Sequence, residues 1–464
     1  MDQVIRTVLK AEWLKTLTSS RGRRLSKEGF WIVLGQAMAV LGAIVGVRIL
    51  TTVLPPEAYG QLALGMTVAT FANVVVLGPL SNGVIRFFAP AREAEGLPAY
   101  FAAVKKLVLR ASGVIILFAA LLCFVLIVAG HGKWVFLTVM AFCFALLSGY
   151  SSVLNGMQNA ARQRAVVALH HATLSWGRFL LAAGLVLWLG ASSAIAMSGY
   201  CVATVFVLLS QRWFFRRMLR PTDVRVEKTD EFREDVWKGD IVRYAWPFAT
   251  WGVLSWARIA SDRWALQLFA STEDVGFYAV LFQLGYYPIT LLTGLFTQLV
   301  SPICFQQAGD AKDRERLRRV YVLTWKITVG VVAITLVAVV LAIWLNKEIF
   351  HLLVADEYHS VAGLLPWMLL AAGLFASAQC CTVGIHSHLK TQSLVGPKAI
   401  LHGLGAVLNI FGAAWHGIAG LVVANIAFSV THLVWIVLLS VMGFREVSLP
   451  PEKERCVNND AFQH

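Results

Sequence analysis

Charge is scarce in this chain. Asp, Glu, Lys and Arg make up 14% of its 464 residues, where soluble globular proteins carry roughly a quarter. Hydrophobic residues make up 58% and the mean hydropathy is +0.68, which excludes a soluble enzyme and predicts a polytopic membrane protein. The seven cysteines contain no C-x-x-C pair. They lie almost entirely in or beside apolar runs and read as reduced packing residues. His170-His171 and His386-x-His388 have no neighbouring cysteine or acidic cluster, so neither predicts a metal site. A G-x-x-x-x-G-K-[ST] loop is missing too, so ATP is not the energy source within this chain. Residues 1–27 lack the apolar core and small-residue cleavage site of a signal peptide, so the first span is expected to start insertion itself.

What the chain has in abundance is apolar runs of membrane-crossing length, about 20 residues each. Twelve are placed at 29–50, 60–80, 107–129, 134–155, 166–189, 193–211, 241–264, 276–300, 321–345, 360–385, 397–415 and 418–442. The expected architecture is therefore all-α, with twelve transmembrane helices in two pseudo-symmetric six-helix lobes. Residues 1–27 form a basic cytoplasmic segment with helical apolar spacing, able to lie on the membrane surface or to serve only as a basic tail. Residues 28–211 form the N-lobe, 212–240 a basic linker, 241–442 the C-lobe and 443–464 a cytoplasmic tail. Two sets of six spans with the same end inside are parallel repeats, of the kind that enclose a central site and alternate access to it.

The net charge of +14 would suit nucleic acid, but the basic residues sit in short clusters between apolar runs. That distribution is topological. With the N-terminus inside, the cytoplasmic segments receive Arg86, Arg92, Lys105, Lys106, Arg162, Arg164, the linker, Lys312–Arg319, Lys390 and Arg445, while the outer loops receive Lys133 and Lys347. Both termini are thus expected in the cytoplasm. The longest outer loop, about Asn346–His359, leaves no room for an external catalytic domain. Ser271 with Glu273-Asp274 reads as a helix start, not as a pair of catalytic acids.

Local motifs recur across the halves. Arg48 closes the first run, Pro55-Pro56 interrupt it, Tyr59-Gly60 open the second, and Gly78-Pro79 are expected near its end. In the second half Arg263, Gly276 and Tyr278, then Ser301-Pro302, repeat that order. The R-x-L-T end of the first span, the P-P-x-x-Y-G link and the R-F-F-A-P exit resemble bacterial polysaccharide flippases. These are Wzx-like members of the multidrug/oligosaccharidyl-lipid/polysaccharide (MOP) exporter superfamily, which also has the MATE-like fold. Ala245-Trp246-Pro247 with Asp262-Arg263, and Asn409 followed by Trp415-His416-Gly417-Ile418-Ala419-Gly420, extend the resemblance over about Glu28–Met442. It implies transport of an undecaprenyl-diphosphate-linked oligosaccharide across the bacterial inner membrane, for O-antigen or exopolysaccharide assembly. It also implies contact with membrane lipids and with a polysaccharide polymerase and export machinery. A cation-coupled multidrug exporter and a peptidoglycan-precursor flippase are the alternatives within transport. A membrane-bound polysaccharide polymerase or glycosyltransferase is the alternative outside it.

Charges inside spans carry the site prediction, because each costs about 2.5–3.5 kcal/mol at a helix centre and demands a partner or water. Arg48, Arg178, Arg258 and Arg263 are the candidates for a cationic cavity between the halves, suited to phosphate because a guanidinium donates two parallel hydrogen bonds. Arg48 and Arg263 have the alternative of reaching outer headgroups. Asp262, four residues after Arg258, is the candidate charge partner or ion-coupling acid. Asn73, Trp251, Trp256, Tyr286 and Asn409 are candidates for sugar contact, with helix packing as the alternative. No cofactor is expected, and coupling to Na+ or H+ is left open.

Overall fold

The computed structural model describes residues 20–219, 231–309, 311, 313–388 and 395–448. Most of the expected N-terminal segment, the middle of the linker, the end of the tail and Cys456 lie outside them.

Every regular element among the described residues is helical. Helix α1 (Ser20–Val53) stops before Pro55, and α2 (Pro56–Ala72) begins on Pro56, which needs no amide partner in a first turn. A single π-turn, Asn73–Leu77, joins α2 to α3 (Gly78–Glu93). Then follow α4 (Leu97–Val128), α5 (Val135–Ala160), α6 (Arg164–Leu189), α7 (Ser193–Met218) and α8 (Glu231–Phe269). The second half continues with α9 (Thr272–Gly285), α10 (Tyr287–Ala308), α11 (Arg314–Leu353), α12 (Leu365–Ser387) and α13 (Val395–Ser448). Ser271 caps α9 as expected, accepting the Asp274 amide at 3.0 Å.

Two expected boundaries move. Gly78-Pro79 and Ser301-Pro302 do not end their helices, because both chains run on, to Glu93 and to Ala308. Pro79 has no amide to offer the carbonyl one turn back, and the chain absorbs the loss by widening to a π-turn instead of stopping. Pro288, by contrast, sits in the first turn of α10, directly after the join at Tyr286.

Among the described residues, ten helices are long and apolar enough to cross a membrane, which makes this a multi-pass membrane protein. Two features separate that number from the expected twelve. Helix α8, with Arg258, Asp262 and Arg263, is not among the ten. Helix α13 is a single element of 54 residues with non-helical backbone at His416 and Gly417. Eight residues of straight helix would separate Gly412 from Gly420 by about 12 Å, yet a Cβ built on Gly412 would lie 2.5 Å from the Gly420 carbonyl oxygen. The chain therefore turns back on itself, and Gly417, at φ +53, supplies a backbone conformation that other residues rarely adopt.

The chain forms two compact units, one of residues up to Leu54 together with Gly65–Val253, the other of Pro55–Leu64 together with Leu254 onward. The dividing point falls inside α8, not in the linker, and the short Pro55–Leu64 segment joins the second unit. Gly60 explains the exchange. A Cβ there would lie 2.9 Å from the Gly276 amide nitrogen and closer still to the Thr272 carbonyl oxygen, and one on Gly276 would run into the Pro56 carbonyl. Backbones this close require glycine on both sides.

Within each unit the packing scheme repeats. In the first, α5 packs on α3, α4 and α7, and α6 packs on α1 and α7; in the second, α12 packs on α10, α11 and α13. The third span of each half, α4 and α11, contains the most apolar stretch of its unit, with mean hydropathy 3.0 and 2.7 and only 11% and 22% of that stretch buried. Helices apolar on every face suit contact with lipid. Trp188, Trp344 and Trp415, near the ends of their apolar stretches, are likewise exposed, where an indole suits a membrane–water boundary.

Candidate functional site

In the first unit Arg178 is half-buried, with its guanidinium carbon 4.5 Å from the Phe179 ring centre and 5.9 Å from that of Tyr200. Its Nε has no hydrogen-bond partner among the described residues. Arg48 is exposed, and its carbonyl accepts the hydroxyls of Thr51 and Thr52 at 3.2 and 2.7 Å. Asn73 opens the π-turn, and its amide donates to Ser148 Oγ at 2.9 Å and to the Ala69 carbonyl at 3.2 Å. That amide thus holds the widened turn against α5.

The second unit brings the other charged candidates together. Arg258 is 7% exposed and Asp262 3% exposed. The expected pair between them does not form. Asp262 Oδ1 instead meets Arg263 Nη1 at 3.2 Å, and its Oδ2 accepts the Tyr278 hydroxyl at 2.9 Å. Asn425 donates to the same Tyr278 oxygen at 3.1 Å. Asp262 is thereby satisfied by a neighbour in sequence and by a fully buried phenol, since Tyr278 has an exposure of 0%. The i,i+4 spacing permits contact but cannot decide between two guanidinium groups.

Arg258 is left with an aromatic setting. Its guanidinium carbon stands 4.5 Å from the Phe428 ring centre and 5.8 Å from that of Phe375. Asn409 ties this stretch of α8 to α13, donating to Ser261 Oγ at 2.9 Å and to the Arg258 carbonyl at 3.3 Å. Asn409 is therefore a packing and positioning residue. Tyr286, 2% exposed, stacks on Phe282 at 4.8 Å, and its hydroxyl lies beside Arg258 and Ser429. Trp251 and Trp256 are half-buried on α8.

Three residues near Arg258 escaped the sequence reading: Lys398, His402 and His432. The first two are half-buried, while His432 is 3% exposed and packs on Phe375 and Phe428. The rule that singled out the arginines, a charge or titratable group within a membrane run, applies equally to these three. His170, which the sequence did single out, contacts Ser210 Oγ at 3.0 Å. The six cysteines among the described residues are free thiols, and no group of metal-ligating side chains occurs among the described residues.

A largely buried guanidinium over two aromatic rings, on a helix among many membrane-crossing ones, defines a membrane protein built to hold charge inside its body. Solved structures similar to this chain include transporters of the MOP superfamily. An inward-facing MATE-family multidrug resistance transporter matches with a TM-score of 0.59 at 15% identity, covering 92% of this chain and 99% of that one. A lipid II flippase, MurJ, in an inward closed conformation matches at 0.62 and 12% identity, covering 91% and 89%. A MOP transporter from Pyrococcus furiosus matches at 0.55 and 15%, covering 92% and 96%. A search of curated proteins returns no match. Residues 25–308 match the model of the polysaccharide biosynthesis protein family, and the chain belongs to that family.

Proposed function

We propose that this protein is a flippase that carries an undecaprenyl-diphosphate-linked oligosaccharide across the bacterial inner membrane by alternating access, with twelve passes and both termini in the cytoplasm. The observation that carries the reading is Arg258. It is buried and held over Phe375 and Phe428, and the nearby carboxylate of Asp262 is taken by Arg263. A buried cation is costly unless something negative visits it. A diphosphate supplies that charge, and the guanidinium fork fits its oxygens in pairs.

Family membership supports polysaccharide assembly as the setting, and the fold is shared with a protein titled as a lipid II flippase. A cationic drug is a poor fit to the surroundings of Arg258. An interior-negative membrane potential favours outward movement of an anion by about 2.3 kcal/mol per charge per 100 mV, so potential alone supplies part of the driving force. Arg178 is assigned a second phosphate-contacting role on its unpartnered Nε, and the polymerase and export machinery are the expected recipients of the cargo.

The test is genetic and chemical together. Deleting the gene and identifying by mass spectrometry the lipid-linked glycan that accumulates in the inner leaflet names the cargo. Arg258→Ala and Arg178→Ala are expected to reach the membrane at normal levels and to export at least tenfold less polymer, about 1.4 kcal/mol or more. Normal export in both variants refutes the cationic assignment. Sugar transfer by the purified protein would move the protein to the enzyme class.

A further inference from the structure

Where α11 leaves its apolar stretch, the chain forms a pocket. The last turns of that helix and the 3-10 segment Asp356–Leu364 surround a cavity of about 530 Å³, lined by Lys347, Glu348, Phe350, His351, His359 and Ala362. That volume lies within the roughly 300–1,000 Å³ of small-molecule sites. Phe350 and Ala362 are buried and supply the apolar part of the wall, while Lys347, Glu348 and His351 are exposed and His359 is partly so. The side chains of Lys347 and Glu348 have no partner among the described residues. As neighbours on one helical turn they point about 100° apart, too far round to pair with each other.

The signs of these groups restrict the ligand. A bare anion at Lys347 would meet the Glu348 carboxylate, and a bare cation at Glu348 would meet the Lys347 ammonium, so a ligand holding both signs suits the wall best. His359 adds an acceptor. Its Nε2 lies 3.4 Å from the Val354 carbonyl oxygen and 3.7 Å from Asp356 Oδ1. Both oxygens only accept, so in the neutral ring Nε2 carries the hydrogen and Nδ1 is left to accept one. The pocket also lies in register with an apolar track. Val337, Leu341, Trp344, Glu348 and His351 follow at intervals of four, three, four and three residues, the spacing of a single helix face. The first three are exposed, and Glu348 follows Trp344 by about 6 Å along the axis. An indole suits the membrane–water boundary, so the pocket stands at headgroup depth and the track at the depth of acyl chains.

We propose that this pocket binds the headgroup of a phospholipid that carries both a phosphate and a primary amine, as phosphatidylethanolamine does. Lys347 holds the phosphate, Glu348 and His359 accept the hydrogens of the ammonium, and one acyl chain lies along Val337, Leu341 and Trp344. A quaternary amine has no N–H to donate and a glycerol headgroup has no cation, so neither satisfies the carboxylate and the imidazole as a primary ammonium does. No bond forms or breaks. Nothing in this site depends on the cargo proposed for Arg258.

The experiment is native mass spectrometry of the full-length protein in detergent, titrated with phosphatidylethanolamine, phosphatidylcholine and phosphatidylglycerol of matched acyl chains. Phosphatidylethanolamine is expected to bind about fivefold more tightly than either of the others, the scale of one partly exposed ion pair. Glu348→Gln is expected to remove its advantage over phosphatidylcholine, and Lys347→Gln to weaken all three lipids several-fold, since all three carry the phosphate. Both positions are exposed, so the variants are expected to fold, which their melting temperatures check. Lys133→Gln, at an exposed lysine of the first unit, is expected to leave the profile unchanged. Glycerophosphoethanolamine, the same headgroup without acyl chains, is expected to bind at least about tenfold more weakly for want of apolar surface to bury; binding as tight as that of the lipid overturns the lipid as occupant. Equal binding of the three lipids by the wild type, a preference for phosphatidylglycerol, or the wild-type profile retained in both Glu348→Gln and Lys347→Gln overturns the site, and each leaves the flippase reading intact.

Discussion

Gly60→Ala tests the most sharply defined contact in the second unit. A methyl group on Gly60 would be aimed at the backbone of α9, 2.9 Å from the Gly276 amide nitrogen and 3.1 Å from the Thr272 carbonyl carbon, with the carbonyl oxygen nearer still. No flexible side chain stands in the way to yield, so two helices have to separate by about an ångström. Overpacking of a well-packed contact costs about 1–3 kcal/mol, and rigid backbone on both sides places this case at the upper end. Gly276→Ala meets the carbonyl of Pro56 and is expected to cost the same. The double variant is expected to cost less than the two together, because the first separation makes room for the second methyl. Gly294→Ala is the control: it is helical with nothing within 4 Å of its Cβ, so it should gain about 0.5–1 kcal/mol from helix propensity. Thermal unfolding in detergent followed by tryptophan fluorescence ranks the four proteins. Gly60→Ala or Gly276→Ala as stable as Gly294→Ala would refute the reasoning.

At the start of α8, Lys106 and Lys238 hold the Glu234 carboxyl below its ordinary range through hydrogen bonds of 2.9 Å or shorter, and Lys238 does the same for Asp235. The stabilisation from a lowered carboxyl is present above its unfolded value and lost as pH falls through the folded one; that from Lys238, which is raised, is lost only as pH rises through its folded value. Stability is therefore expected to be level through neutral pH and to fall in acid, and Glu234→Gln should flatten the acid limb of a melting-temperature profile. Asn409→Ala removes hydrogen bonds to Ser261 and the Arg258 carbonyl and should cost about 1–3 kcal/mol in thermal unfolding. Gly417→Ala forces a Cβ onto a backbone at φ +53 and ψ −128, with an expected cost of about 1–3 kcal/mol in the same measurement.

Class and repeat were legible because both rest on patterns many residues long. Hydropathy over about 20 residues does not depend on which neighbour a side chain meets, and glycines opening the second span of each half at Gly60 and Gly276 meet at one crossing. Proline was read too simply. Pro79 and Pro302 signal a local loss of one hydrogen bond, and a chain with packing on both sides of the defect continues through it, as α3 and α10 do. The site was legible in composition and not in pairing. Arg258, Asp262 and Arg263 were visible as costly residues, but the choice of Arg263 over Arg258 by Asp262 depends on Tyr278 arriving from α9, a contact 16 residues away in sequence. His402, His432 and Lys398 carry the same signal as the arginines, and their grouping needs the turn at Gly417, which folds the two arms of α13 together.

The two units build corresponding helix contacts from different chemistry. In the first, α1 meets α6 through small residues against apolar ones: Gly35 against Ala168, Gly42 against Trp176 and Gly46 against Phe179. One indole bond, Trp176 to the Met38 carbonyl at 3.0 Å, is the polar link. In the second, the corresponding first and fifth spans, α8 and the leading arm of α13, meet through Asn409, Ser261 and Arg258, with Gly405 making room for the Arg258 stem. In the first arrangement the nearby guanidinium, Arg178, stands beside Phe179, half-buried. The second contact differs in holding its guanidinium within the crossing itself, with Arg258 7% exposed and Lys398 and His402 on the same leading arm of α13. An anionic ligand, as proposed above, would offset the cost of burying Arg258 in that crossing.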